Sequence, residues 1–264
     1  MKLCLLGELW GDICGVPYEF NPERDVTKIN LNNPLRAISD DSILTLAVAK
    51  AILEQRPYRD VIFELAQQYP DCGFGGMFYR EWIAKKNPIP YNSFGNGAAM
   101  RVSPVGWAFN TVEDVLREAA ATAACSHNHP DGIACAQATA LAIFLARKGQ
   151  DKDDIRAELE ERFNYPLTDE LELVRMDAND VGFDETWISV PQAISVFLAT
   201  NSFEECLRET IALGCDADTQ AAISCAIAEA YYGVDEALAK KVLPFLNPQL
   251  KKIWNSFATR YGVE

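Results

Sequence analysis

The residues best suited to chemistry are acids and hydroxyls gathered in two short runs, Ser39-Asp40-Asp41-Ser42 and Asp216-Ala217-Asp218-Thr219. Adjacent carboxylates repel each other, so burying such a pair calls for a cation or a basic partner beside it. Carboxylate and hydroxyl oxygens are hard donors that suit Mg2+, Mn2+ or Ca2+ rather than zinc. The second run lacks the length and the closing Glu of an EF-hand loop. Each run precedes an Ala-rich apolar stretch, so each also reads as a helix-capping turn with its acids in water. If the two converge, both bring acids to a positive helix N-terminus, and a two-cation cluster neutralises the remaining charge.

Four further segments carry donors or glycines. Gly95-Asn96-Gly97-Ala98-Ala99-Met100-Arg101, preceded by Asn92 and Ser93, and Gly73-Phe74-Gly75-Gly76 fit neither the P-loop nor the dinucleotide spacing. Each is either a tight turn or a loop presenting backbone N–H groups to a phosphate. Both histidines, His127 and His129, lie in one five-residue stretch, and no cysteine is spaced to complete a zinc site. A hydrogen bond to a ligand, or a cation at a helix C-terminus, suits them better. In Gly7…Gly11-Asp12…Gly15 the glycines permit close helix packing, and Asp12 and Glu19 are candidates to face a metal site.

The elements that must position these groups are helices. Leu250, Ile253, Trp254 and Phe257 fall on one helical face, with Asn247 as cap and Pro248 as the first helical residue. Ser202 and Glu205 have capping-box spacing, and Thr111 and Asp114 open another helix. Stretches 41–53, 132–147 and 219–232 are apolar on more than one face, as central helices are. Strand-like alternation is hard to find. The expectation is one all-α domain over residues 1–264, with the acidic stretch 149–181 as a solvated helix pair or an insertion.

A chain of 264 residues with 49% hydrophobic content can bury a large core. Its 38 acidic against 24 basic residues argue against a nucleic-acid partner. The eight cysteines include no CxxC pair and read as buried reduced thiols. The apolar run Leu3–Leu6 is too short for a signal peptide, and no run reaches transmembrane length, so a cytoplasmic protein is expected.

Taken in order, the stretches GDICGVPYEF, SDDS, GFGGMFYREW, SFGNGAAMRVSPVGW, SHNHPDG, SVPQAISVFL and GCDADTQAAISCAIAEAYYG resemble the ADP-ribosylglycohydrolase family. The resemblance implies an all-α, orthogonal helical bundle with a binuclear Mg2+ or Mn2+ centre. It implies Ser39, Asp40, Asp41, Asp216, Asp218 and Thr219 as metal ligands, with Glu19, Asp40 and Asp41 in catalysis. Gly75, Ser93, Gly95, Asn96, Gly97, Met100 and His127 match positions around bound ADP-ribose. The activity implied is hydrolysis at C1″ of ADP-ribose, releasing it from a modified protein or small conjugate; a monomer is the expectation for a chain of this size. A catalytically silent binding or structural protein of the same fold, or a two-metal phosphate-ester hydrolase, are the other readings. Two departures stand out. Ser39 and Ser42 replace the family's usual threonines, and Cys215 stands where glycine is usual.

Overall fold

The computed structural model describes residues 2–177 and 186–263, except the side chains of residues 176, 177 and 186. The described residues form fourteen helices: α1 Leu6–Glu19, α2 Asp40–Glu54, α3 Tyr58–Ala66, α4 Gly76–Phe78, α5 Ser103–Ala108, α6 Val112–Ala124 and α7 Pro130–Arg147. They continue as α8 Lys152–Phe163, α9 Leu171–Asp177, α10 Thr186–Ala199, α11 Phe203–Ala212, α12 Ala217–Tyr232, α13 Glu236–Val242 and α14 Pro248–Tyr261. No strand occurs among the described residues; one isolated bridge, Leu3 to Val263, ties the ends together. The all-α expectation therefore holds. In the acidic stretch, α8 and α9 are helical, while residues 178–181 lie outside the described residues.

The caps read from sequence are formed. Thr111, Ser202 and Asn247 accept from the backbone N–H of Asp114, Glu205 and Leu250 respectively. Glu205 reaches back to the N–H of Asn201, one residue earlier than the usual reciprocal box. The face of α14 marked by Leu250, Ile253, Trp254 and Phe257 is buried, and the Trp254 indole donates to the Cys4 carbonyl.

The most intimate pairing is α1 against α12. A Cβ on Gly7, Gly11 or Gly15 would stand 2.2, 2.2 or 2.3 Å from Cys225 O, Ala221 O or Asp218 Cα. Only hydrogen fits there, so the one-turn glycine spacing lets two backbones touch. Leu5, ahead of α1, is left-handed and offers no cap. The Glu229 carboxylate of α12 instead accepts from the N–H groups of Leu6 and Gly7, at 3.2 and 2.8 Å. A charge-assisted cap thus fixes the register of the pair. Pro17 falls in the last turn of α1, which ends two residues later and releases Glu19 at the lip of a cleft.

Gly11→Ala should therefore lower the unfolding free energy by at least about 2 kcal/mol through overpacking against backbone. Gly76→Ala, whose Cβ would meet nothing within 4 Å, should change it little. Denaturant unfolding followed by helical circular dichroism measures both.

Candidate functional site

The two acidic runs converge where the N-termini of α2 and α12 meet. Ser39 caps α2, its hydroxyl accepting from Asp41 N–H at 3.1 Å and lying 3.2 Å from Asp41 Oδ2. The capping reading was thus correct for Ser39, but its companion reading of water-bathed acids was not. Asp41 is only 1% exposed, and Asp40, in the first turn of α2, is half-buried at the cleft wall. Across from them, Thr219 Oγ1 donates to Asp41 at 3.2 Å. Asp216, Asp218 and Thr219 are all buried. The turn before Asp216 takes its left-handed residue at Gly214, φ +66°. Cys215 has no positive φ, so the departure from glycine there leaves the turn intact.

Oxygens of Asp12, Asp41 and Asp218 lie within 4.8 Å of one another, and so do those of Glu19, Asp216 and Asp218. Asp218 belongs to both trios. Asp12 is a buried member that the residue-level match to the family did not include, although its place on α1 made it a candidate. Its carboxylate accepts from the N–H of Ser39 and of Ser42 at 3.0 and 3.1 Å, and from the Ser42 hydroxyl. It therefore anchors the N-terminus of α2 to α1. Asp40 belongs to neither trio; its side chain faces the loop at Gly73, whose Cβ would sit 3.4 Å from Asp40 Oδ1.

The ion pairs of the described residues all lie elsewhere. Burial, reinforced by the neighbouring acids, holds Asp40, Asp41 and Asp218 well above the ordinary carboxylate range. Burial lifts Asp216 to about 6, although the Asn96 amide, donating at 2.6 Å, opposes the rise. Burial followed by the charges of Asp218 and Asp12 lifts Glu19 to about 8. One turn before Asp12, buried Glu8 is pushed up by burial and by Asp12. No spacing signal marked Glu8, because a single acid inside an apolar helix looks like any helical residue. Hard oxygen donors that resist ionisation for want of a positive charge fit a pair of divalent cations.

The acids open into a cleft of about 860 Å3. Gly75, Ser93, Gly95, Asn96, Gly97, Met100 and His127 all line it. A Cβ on Gly75 would meet nothing, so that backbone is open to the cleft. The stacked rings of Phe74, Phe78 and Trp82, 4.9 Å apart in sequence, hold the glycine loop against the core. The Asn96 side-chain amide donates to Asp216 and, at 3.4 Å, to Ser189 Oγ. His127 is buried, and desolvation followed by the Arg101 charge depresses its pKa well below the usual value. Burial and Arg101 therefore weigh against a histidine cation at a helix end and favour the neutral His127 ring. His129 instead caps α7, accepting from Asp131 N–H through Nδ1.

A family model for ADP-ribosylglycohydrolase matches residues 1–251. The chain is 26% identical over 316 residues to ADP-ribosylhydrolase ARH3 of Homo sapiens, covering 88% of this chain and 85% of that protein. It is 24% identical over 253 residues to the ADP-ribosyl-[dinitrogen reductase] glycohydrolase of Rhodospirillum rubrum, covering 88% and 85%. A solved structure titled as an ADP-ribosylglycohydrolase-related protein complex superposes with a TM-score of 0.73 at 22% identity, covering 97% of this chain and 95% of that one. That likeness shows the fold. No helix among the described residues is long and apolar enough to cross a membrane.

The raised carboxyl pKa values give a signed expectation for the cation-free protein. Between the ordinary carboxylate range, near pH 4, and about pH 8, the folded chain holds protons that the unfolded chain has released. Its stability should therefore fall as pH rises through that window. Mg2+ or Mn2+ should raise the melting temperature, and by more near pH 8 than near pH 5. Thermal unfolding in EDTA against either cation checks both signs.

Proposed function

The chain belongs to the ADP-ribosylglycohydrolase family, and from that premise we propose that it is a metal-dependent hydrolase acting on ADP-ribose linkages. It would cleave the glycosidic bond at C1″ and release ADP-ribose from a modified protein or a small conjugate. The observation that carries this reading is the pair of carboxylate trios, one buried and one opening at Glu19, joined at Asp218 beside a cleft lined by the glycine loops. We propose a single domain over residues 1–264 and two cations, Mg2+ or Mn2+, held by Ser39, Asp40, Asp41, Asp216, Asp218 and Thr219. Asp12 is added to that donor set by its place in the first trio, while Glu19, at the edge of the second, is kept as the candidate base. Two such cations would orient the 2″- and 3″-hydroxyls of the distal ribose and lower the pKa of a bound water.

The protein's own groups have separable tasks. Glu19, half-buried at the lip of the cleft, is placed to take a proton from the attacking water. Its elevated pKa brings proton transfer toward neutral pH. Asp40, open to the cleft rather than tied into a trio, is the second candidate for that proton. The surrounding acids stabilise the positive charge that grows on the ribose as the C1″ bond breaks. Asn96 holds Asp216 in place through its amide. Backbone at Gly75 and Gly97 is positioned to meet the pyrophosphate, which suits a chain with a net charge of −14 and no need of a basic patch.

The test is release of free ADP-ribose from arginine-, serine- and acetyl-linked substrates with Mg2+, Mn2+ or EDTA. Metal-dependent release from one substrate supports the reading and identifies the linkage. Binding of ADP-ribose with no release from any substrate would support a catalytically silent binding protein instead. Phosphate release from a generic ester, indifferent to ADP-ribose, would support the phosphate-ester reading. Asp216→Ala and Asp41→Ala should each lower turnover by about 10^3-fold or more while keeping helical circular dichroism. Near-normal turnover in either variant would overturn the assignment of the metal site. Glu19→Gln should reduce turnover more than cation affinity, whereas an equal loss of both would make Glu19 a ligand rather than a base.

A further inference from the structure

Beneath the glycine loop at Gly95–Gly97 lies a buried chain of three polar side chains that the reaction scheme above does not use. Arg101 is fully buried. Its Nη2 donates to the Thr122 carbonyl at 2.9 Å and to Ser126 Oγ at 2.7 Å, which engages both of that nitrogen's hydrogens. Ser126 is also fully buried, and its Oγ lies 2.8 Å from His127 Nδ1.

The donor count decides where the protons sit. A serine hydroxyl has one hydrogen and two lone pairs. One lone pair of Ser126 takes the arginine hydrogen, and its own hydrogen needs an acceptor inside a site closed to water. Of the acceptors within reach, the Cys125 sulfur is weak and His127 Nδ1 is strong. If Nδ1 carried a proton, the serine hydrogen would be left with the weak sulfur alone, a loss approaching one hydrogen bond. His127 Nδ1 is therefore bare, and in the neutral ring the proton sits on Nε2. Nε2 makes no hydrogen bond to another described residue. It faces Gly97, where a Cβ would stand 3.0 Å from Nε2 and 3.2 Å from Cε1. The imidazole edge thus reaches the cleft through the gap that glycine leaves.

We infer that Arg101 and Ser126 are positioning residues that lock His127 in the Nε2–H tautomer, presenting a neutral donor through the Gly97 gap to an oxygen acceptor of the ligand. This rests on the ADP-ribose reading for the ligand, but not for the tautomer. A neutral donor suits a cleft of acids and cations because it holds an oxygen without competing for the metal-binding carboxylates. Gly97 would then be a glycine to keep that donor uncovered.

The protein labelled with 15N-histidine separates the two parts of the inference. In a long-range 1H–15N spectrum, with the second ring assigned by His129→Asn, His127 should show one tautomer protonated at Nε2. Ser126→Ala should shift the ring toward protonation at Nδ1 and weaken ADP-ribose binding by about tenfold, with circular dichroism unchanged. Ser126→Thr, which keeps the hydroxyl, should retain both tautomer and affinity. A wild-type ring protonated at Nδ1 would overturn the relay, as would a Ser126→Ala protein with an unchanged tautomer. A changed tautomer with unchanged affinity would overturn the positioning role. If the wild-type protein binds no ADP-ribose, the ligand reading fails, and the tautomer still decides the relay.

Discussion

Five carboxylates, those of Asp12, Glu19, Asp41, Asp216 and Asp218, share one small volume, and among the described residues no lysine or arginine is paired to any of them. Like charges held within 4.8 Å inside a protein repel strongly, and burial removes the water that would screen them. Such a cluster persists either by keeping protons or by gathering positive charge, and the helix N-termini of α2 and α12 supply only part of it. A need for protons or cations is thus built into the arrangement of the chain. It also accounts for the unusual proton affinity of Glu19, which sits at the edge of that field and feels Asp218 and Asp12.

Holding repelling groups together requires a rigid frame, and α1 with α12 provides it. The glycines of α1 bring its backbone against that of α12, while Glu229 clamps the N-terminus of α1 from the far end of α12. Asp12 lies on that helix, and from there it hooks α2 by two backbone N–H groups and a serine hydroxyl. Three helices are therefore locked around the acids by contacts that admit little slippage. The looser wall of the cleft comes from loops. The aromatic stack of Phe74, Phe78 and Trp82 steadies one of them, and the Arg101–Ser126–His127 chain underlies the other.

Ser42 illustrates how a departure from the family pattern is absorbed. A serine lacks the methyl group that would restrict its rotamer. Here its hydroxyl is committed to Asp12, so the bond supplies the restraint that branching would have given. Cys215 is tolerated for a different reason, since the left-handed turn falls on Gly214.

Much of this was legible from residue order alone. Helical periodicity, the caps at Thr111, Ser202 and Asn247, and the acidic runs at Asp40–Asp41 and Asp216–Asp218 are local signals, written in residues a few positions apart. The motif order carried the family, and the glycines of α1 already suggested close packing. What the tertiary structure decided were matters of long-range proximity. Asp12 lies 27 residues before Ser39 and 206 before Asp218, so no spacing rule placed it among the acids. Asn96 donates to Asp216 across 120 residues, a contact that no local spacing announced. His127 reads from sequence as a cation or a hydrogen-bonding group, and only its burial beside Arg101 favours the neutral ring. Sequence determines which groups are present and which helices carry them; their electrostatic character emerges only when folding sets the distances between charges and removes water from between them.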